Sequence, residues 1–186
     1  MGEYGMGGKA LLYDLASKIP CFIHDPNLPV RLRGRQIDEL VSSLDIPRTI
    51  LDYAGIEAPE FMDGLSLRPL VEGNDVPWRD ELFLESLYTG RDTPFQEGVR
   101  MGKWKYIRMF DGVAPYTESD VDFREREPDF EMLFDLESDP QEMENLIDTP
   151  ALVETVAVLR KKCSQHSRAL NRQRSEFRKN IQVKTR

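Results

Sequence analysis

Apolar residues in this 186-residue chain change their spacing twice. Up to about residue 77 they come in short runs broken by proline and glycine. They then alternate with polar residues, and finally recur every three to four positions. The run Ile19-Pro20-Cys21-Phe22-Ile23-His24 is short and closed by Asp25-Pro26, which predicts a buried strand over residues 21–24. Leu40-Val41-Ser42-Ser43-Leu44 predicts a second short strand. Asp45 then stands where a helix cap belongs, with Pro47 in the first turn, where a missing N–H costs nothing. Ile46, Ile50, Leu51 and Ala54 would share the buried face of that helix, and Gly55 would end it. Residues 62–70 read as an ordered loop, and Glu72-Gly73-Asn74-Asp75 closes the first region.

Beyond Trp78 the alternation predicts strands over residues 81–87, 98–101, 103–109 and 131–136, with a turn at Met101-Gly102. In the third strand Trp104, Tyr106 and Arg108 take one face and Lys105, Ile107 and Met109 the other. Thr149 and Pro150 open a last helix. Leu152, Val156, Leu159, Cys163, His166 and Leu170 form a seam along it, spaced to pack on an antiparallel sheet. Cys163 and His166 on this seam read as core or rim residues. There is no internal repeat.

Composition narrows the class. Hydrophobic residues make up 40% and charged residues 31%, as in globular proteins. No apolar run approaches the roughly 18 residues of a membrane span, and the glycine-rich start lacks the basic and apolar regions of a signal peptide. Two distant cysteines, Cys21 and Cys163, make neither a disulfide framework nor a CxxC zinc site. The net charge of −8 is uneven: residues 160–186 hold ten Lys/Arg and one acidic residue, Glu176. With Phe177 as its only aromatic, this tail lacks the stacking platforms of a single-strand nucleic-acid binder and reads as a solvated helix end.

Candidate chemistry is sparse. Gly2-Glu3-Tyr4-Gly5-Met6-Gly7-Gly8-Lys9 offers pliable backbone amides and one ammonium, a pairing that suits an anion. On composition alone it reads as a frayed end with a solvated lysine. His24 closes the first run, the place of a hydrogen-bonded structural histidine more than of a base. Arg31, Arg33 and Arg35 alternate in a loop. They are either solvated or able to grip an anionic substrate. The acidic stretch over residues 111–129, with Asp120, Asp122, Glu125, Glu127 and Asp129, fits no compact metal loop and reads as a solvated insertion.

One succession of segments is more specific than any of its parts. Gly7-Gly8-Lys9 and Leu12-Tyr13-Asp14 come first, then Ile19-Pro20-Cys21-Phe22-Ile23 and Asp25-Pro26. Asp45-Ile46-Pro47-Arg48-Thr49-Ile50-Leu51-Asp52-Tyr53-Ala54-Gly55-Ile56 and Pro59 follow, then Asp63-Gly64-Leu65-Ser66-Leu67 and Pro69-Leu70. Lys103-Trp104-Lys105-Tyr106-Ile107, Leu133-Phe134-Asp135-Leu136, Asp139-Pro140, Glu142 and Asn145-Leu146 complete it. Over residues 1–148 this order resembles the C-terminal portion of the type I sulfatases, in the alkaline phosphatase superfamily.

The resemblance implies an α/β fold class. Residues 1–76 would be the last part of a large sulfatase α/β domain, and residues 77–148 a small domain built on a four-stranded antiparallel sheet. Residues 149–186 would be a long C-terminal helix with a basic tail. It also implies sulfate-ester hydrolysis. The family's nucleophile is a formylglycine made in a Cys/Ser-x-Pro-x-Arg motif, and its divalent cation, usually calcium, is held by aspartates and an Asp-Asn/His-Gly segment. Neither Cys21-Phe22-Ile23-His24-Asp25 nor Cys163-Ser164-Gln165-His166-Ser167 fits the nucleophile motif. Cofactor and nucleophile would thus sit on a part upstream of Met1, and the chain alone would be inactive. Of the family's site residues only Lys9 carries over, as a contact to a sulfate oxygen. Relatives with Gly-Glu-His have a histidine where this chain has Tyr4.

The expected partners are a sulfate ester and the missing N-terminal half, with no nucleic acid and no membrane segment. The parent enzyme would often be exported, but this chain leaves its compartment open. Two other functions fit the same residues: a non-catalytic interaction module that kept the fold, and a hydrolase acting on phosphonate or phosphate esters. If residues 19–24 and 40–44 are strands without neighbours, their edges should also favour association.

Overall fold

Antiparallel pairing of the alternating region builds a four-stranded sheet. The structure is a computed structural model that describes residues 11–86, 93–111 and 126–184, with side chains through Glu176. Four strands, β1 (Glu81–Ser86), β2 (Phe95–Met101), β3 (Trp104–Phe110) and β4 (Phe130–Asp135), lie in the order β1-β2-β3-β4. β2 and β3 form a hairpin whose register sets Val99 opposite Tyr106 and Arg100 opposite Lys105. Gly102 takes φ 56° in its two-residue turn, a left-handed conformation that glycine adopts without steric cost. β4 continues the antiparallel pairing, with Leu133 opposite Tyr106 and Phe134 opposite Lys105.

Both sheet faces are covered. Val99, Tyr106 and Leu133 pack with Val156, Leu159 and Cys163 of the long helix α4 (Val153–Lys184). On the other face Ile107, Met109, Met132 and Phe134 pack with Leu12, flanked by Leu11 and Tyr13. The chain enters a short helix α1 (Asp14–Ser17) directly after this apolar pair. The seam expected on α4 is present: Val156, Leu159 and Cys163 are buried, and His166 stacks on Phe83 with centroids 5.6 Å apart. Thr149 makes no side-chain cap. A 3-10 turn over Pro150–Leu152 leads into the helix instead.

The expected sheet is therefore the observed one, with shifted ends. β2 starts three residues earlier than alternation indicated, because Phe95, Gln96 and Glu97 pair with Phe110, Met109 and Arg108. Leu87 lies outside the described residues.

Residues 11–19 and 83–184 belong to one compact unit and residues 20–82 to a second. Residues 11–19 thus go with the sheet, and the second unit runs to Leu82. The second unit is built on α2 (Asp45–Tyr53) and α3 (Arg68–Val71). Gly55, at φ 67°, ends α2 as expected: the Ile56 N–H returns to the Leu51 carbonyl at 2.9 Å.

Three expectations for residues 20–82 fail. The strands over residues 21–24 and 40–44 do not form. A strand needs a neighbour for its N–H and C=O groups, and no described segment pairs with either. Phe22 is 91% exposed, His24 is exposed, and the Leu40 carbonyl accepts the Trp78 indole N–H at 2.9 Å instead. The apolar face of α2 is not the buried one: Ile46, Ile50 and Ala54 are exposed, whereas Asp45 and Thr49 are buried. The polar face is buried because it binds backbone. Asp45 Oδ1 accepts the Leu65 N–H at 2.8 Å, and Thr49 Oγ1 accepts the Leu67 N–H at 2.8 Å. Gly64 makes this approach possible, since a Cβ there would lie 2.0 Å from the Leu44 carbonyl oxygen.

Candidate functional site

Lys9 and the preceding glycines lie outside the described residues, as do residues 87–92 and 112–125 of the two loops flanking the sheet. Of the acidic stretch, Asp120, Asp122 and Glu125 are among those. Asp129 is described, and its carboxylate accepts the Asp111 N–H and an Arg126 N–H. What the structure does show is how the chain just beyond Lys9 is held.

That segment is fixed by polar contacts as well as by packing. The Leu12 N–H donates to Gln96 Oε1 of β2 at 3.0 Å, in a buried setting. The Asp14 N–H donates to Glu142 Oε2. Lys105 of β3 lies on the same sheet face as Ile107 and Met109, its side chain fully buried. Its ammonium meets Asp14 Oδ1 at 2.7 Å and Glu142 Oε1 at 2.8 Å. Arg100 stands 3.8 Å from the second Asp14 oxygen. Burial pushes the Glu142 carboxyl above its ordinary range, against the pull of Lys105. Glu142 is also the one described non-glycine residue with positive φ, at 55°.

Other residues of the recognised segments serve as fasteners. Lys103 pairs with Asp135 and lies 4.6 Å from the Trp104 ring centre. Asn145 Oδ1 accepts the Leu133 and Ile147 N–H groups, while its amide donates to the Glu131 carbonyl at 3.0 Å. Asp139 Oδ2 accepts the Met143 and Glu144 N–H groups. Sequence reasoning gave none of Asp14, Lys105 and Glu142 a role. The available signal was a lysine on the same strand face as Ile107 and Met109.

The three arginines have different fates. Arg33 is used by its own loop, donating to the carbonyls of Leu28 at 2.7 Å and Pro26 at 2.8 Å. Arg35 donates to the Leu70 and Val71 carbonyls at 2.9 and 3.0 Å, tying the loop to the end of α3. Arg31, on a 3-10 turn over Val30–Leu32, is exposed and makes no hydrogen bond or ion pair with a described residue. It borders an open cleft of about 450 Å³ with Asp25, Tyr53, Arg68 and Glu72. Arg68 there is already paired with Glu72 at 2.7 Å and Asp52 at 3.3 Å. Burial raises the Tyr53 phenol pKa, as do the neighbouring Asp25 and Glu72 charges, so this group stays protonated.

Neither cysteine offers a nucleophile set. Cys163 is buried in the sheet–helix core, and burial pushes its thiol up to about 12. Among the described residues no group of three His, Cys, Asp or Glu side chains is disposed to hold a metal ion. The divalent cation implied by the resemblance therefore has no fitting site among them. No helix of the described residues is long and apolar enough to cross a membrane.

Known proteins are similar to this chain in sequence and in fold. Residues 2–169 match the family model described as N-sulphoglucosamine sulphohydrolase, C-terminal. An arylsulfatase of Clostridium perfringens is 32% identical over 87% of this chain and 30% of its own length. A choline-sulfatase of Rhizobium meliloti is 31% identical over 81% of this chain and 25% of its own. In structure, a phosphonate monoester hydrolase of Agrobacterium radiobacter superposes with TM-score 0.55 and 22% identity, over 75% of this chain and 27% of that one. A 2-O GAG sulfatase gives TM-score 0.52 and 22% identity over 73% and 26%. The chain thus spans about a third or less of the length of the curated relatives it matches. With its four-stranded sheet, its long last helix and a family match over most of its residues, this chain belongs to the C-terminal domain family of the sulfatases.

Proposed function

We propose that this chain is the C-terminal part of an enzyme that hydrolyses a sulfate ester, and that it has no turnover alone. The observation that carries the reading is the anchored segment beyond Lys9. Leu12 and Asp14 are tied to the sheet by buried bonds, which suits a wall of a site more than a loose chain end. The sulfatases matched in sequence support the reaction class. The phosphonate monoester hydrolase supports the fold alone.

Lys9 is the residue we assign to the sulfate. Its ammonium would offset the negative charge that builds on the sulfate oxygens and leaving group at the transition state. Arg31, which pairs with no described residue at its cleft, is the second cation available to an anionic substrate, while Arg33 and Arg35 shape the loop that carries it. The formylglycine and the divalent cation belong to the N-terminal part. They would supply the nucleophile and the Lewis acid, and no described residue of this chain replaces them.

Two assays test this. The purified chain, given calcium and an aryl sulfate, should show no turnover, and metal-dependent turnover would overturn the claim of dependence. Joined to a sulfatase N-terminal part, the enzyme should prefer the aryl sulfate over a phosphonate monoester. There Lys9→Ala should lower kcat by about 100-fold, as for loss of one oxyanion donor. An unchanged rate would place Lys9 away from the sulfate.

A further inference from the structure

The long helix α4 divides its cations between two faces. Over residues 155–175 it carries Arg160, Lys161, Lys162, Arg168, Arg172 and Arg174 and no acidic residue, in a chain whose net charge is −8. Two of them are neutralised by acids of the sheet: Arg160 pairs with Glu131, and Arg174 with Glu85. Lys161, Arg168 and Arg172 are exposed, and none forms a hydrogen bond or ion pair with a described residue. Their spacing of seven and four residues puts them within about 40° of one another around the helix axis, at 3.6 residues per turn. That line runs opposite the buried Leu159 and Cys163. At about 1.5 Å per residue it spans about 16 Å. Solvation accounts for each side chain singly but not for the alignment. Arg168 and Arg172 stand one turn apart, and a like-charge pair at that spacing weakens a helix. An acid in the same line would relieve the repulsion, yet the exposed Gln165 between Lys161 and Arg168 is neutral. The chain holds 33 Asp and Glu, and none falls over these residues. A local rule broken with no compensating contact is the mark of a functional surface.

We propose that Lys161, Arg168 and Arg172 form a docking strip for a linear sulfated polysaccharide. Three cations set out along a helix cannot converge on one anion, but they match anions that recur along an extended polymer. A guanidinium offers paired N–H donors to the oxygens of one sulfate, and the Lys161 ammonium adds a point charge. Because the chain as a whole is negative, a polyanion is repelled elsewhere and drawn to this line. Residues 153–176 hold no Phe, Tyr or Trp, so the strip lacks the stacking platforms that a single-stranded nucleic acid uses. The choice of sulfate as the recurring anion rests on the sulfate-ester reading above.

Binding of dextran sulfate to the chain, measured by titration calorimetry, tests the strip without any turnover. Three contacts at about 0.7 each give a salt slope of about 2, so affinity should fall about 20-fold between about 50 and 200 mM NaCl. Lys161→Gln with Arg168→Gln and Arg172→Gln should weaken binding at least tenfold at the lower salt and flatten that dependence, while the urea midpoint of the chain does not fall. Gln165→Lys, which adds a fourth cation to the line, should tighten binding and steepen the slope. Uncharged dextran should not bind. No binding by the parent chain, or equal binding by parent and triple variant, would overturn the proposal. A DNA duplex that binds more tightly than dextran sulfate, and is lost in the same triple variant, would assign the strip to nucleic acid and overturn it as well. If the enzyme joined to its N-terminal part hydrolyses no aryl sulfate, the reading of the reaction fails, whereas the dextran sulfate comparison still decides whether the strip takes a sulfated polymer.

Discussion

Asp45 shows what one residue does for residues 20–82. Its side chain is fully buried, and its two oxygens take four donors: the Ser42 N–H, the Leu65 N–H and two Arg79 N–H groups. Burial alone would raise its pKa, but the Arg79 bonds and the two amides outweigh it and hold the carboxyl below the ordinary 3.8. A depressed carboxyl contributes stability that is complete above the unfolded value and is lost as pH falls through the folded one. Acid should therefore loosen this unit below pH 3.8, by protonating Asp45. Trp78, bonded to the Leu40 carbonyl, reports the change in a Trp104→Phe background. At neutral pH Arg79→Ala should cost about 3–5 kcal/mol in urea denaturation, because it strands a buried charge. A loss under 1 kcal/mol would mean that water replaces the guanidinium.

Between elements, the sheet and α4 meet through charge as well as through apolar contact. Arg108 of β3 donates to Glu97 of β2 and, at 3.0 Å, to Ser164 of α4, while Ser167 of α4 donates to Glu97 Oε1 at 2.7 Å. Burial raises the Glu97 pKa even against Arg108. Arg108→Ala leaves that carboxyl without its cation and should lower stability by about 3–5 kcal/mol. Arg108→Met with Glu97→Gln, which removes both charges, should recover part of the loss, as a double-mutant cycle in urea would show. Alternation alone located β3, because its faces are continuous along six or seven residues and each face packs on one layer. The ends of β2 were not legible, since Gln96 and Glu97 look like loop residues until their partners are known. The helix over Asp45–Tyr53 was legible in extent and wrong in orientation: periodicity marks an apolar face, but Asp45 and Thr49 are drawn inside by backbone amides of a later loop. Lys105 was read only by its place on a strand face, because Asp14 lies 91 residues before it and Glu142 37 residues after it in the chain.

For the whole molecule, the residues left uncovered fall mostly within the 20–82 unit. Phe22 is 91% exposed, Phe61 82% and Ile50 62%. Apolar surface of this kind drives association in water. The chain should self-associate at micromolar concentration, and Phe22→Asp with Ile50→Glu should shift it toward monomer in light scattering. A monomer before substitution would show that these side chains do not associate. The cause differs from the one strand patterning indicated, since no strand edge is present at residues 21–24 or 40–44. The order of motifs was legible enough to place the chain in its family, yet most of those motifs are fasteners: Asp45, Arg48, Asp135, Asp139 and Asn145 all bind backbone or a partner charge.

The two cysteines differ enough to be told apart by chemistry. Cys163 is enclosed between sheet and helix with its thiol pKa near 12, so it yields almost no thiolate at neutral pH, whereas Cys21 is exposed. A maleimide dye added to the folded chain will therefore label Cys21 alone. A fluorophore can be installed there without altering the sequence, in the unit of the chain that presents most of the uncovered apolar side chains. Its emission and anisotropy then give a direct signal for the arrival of a covering partner.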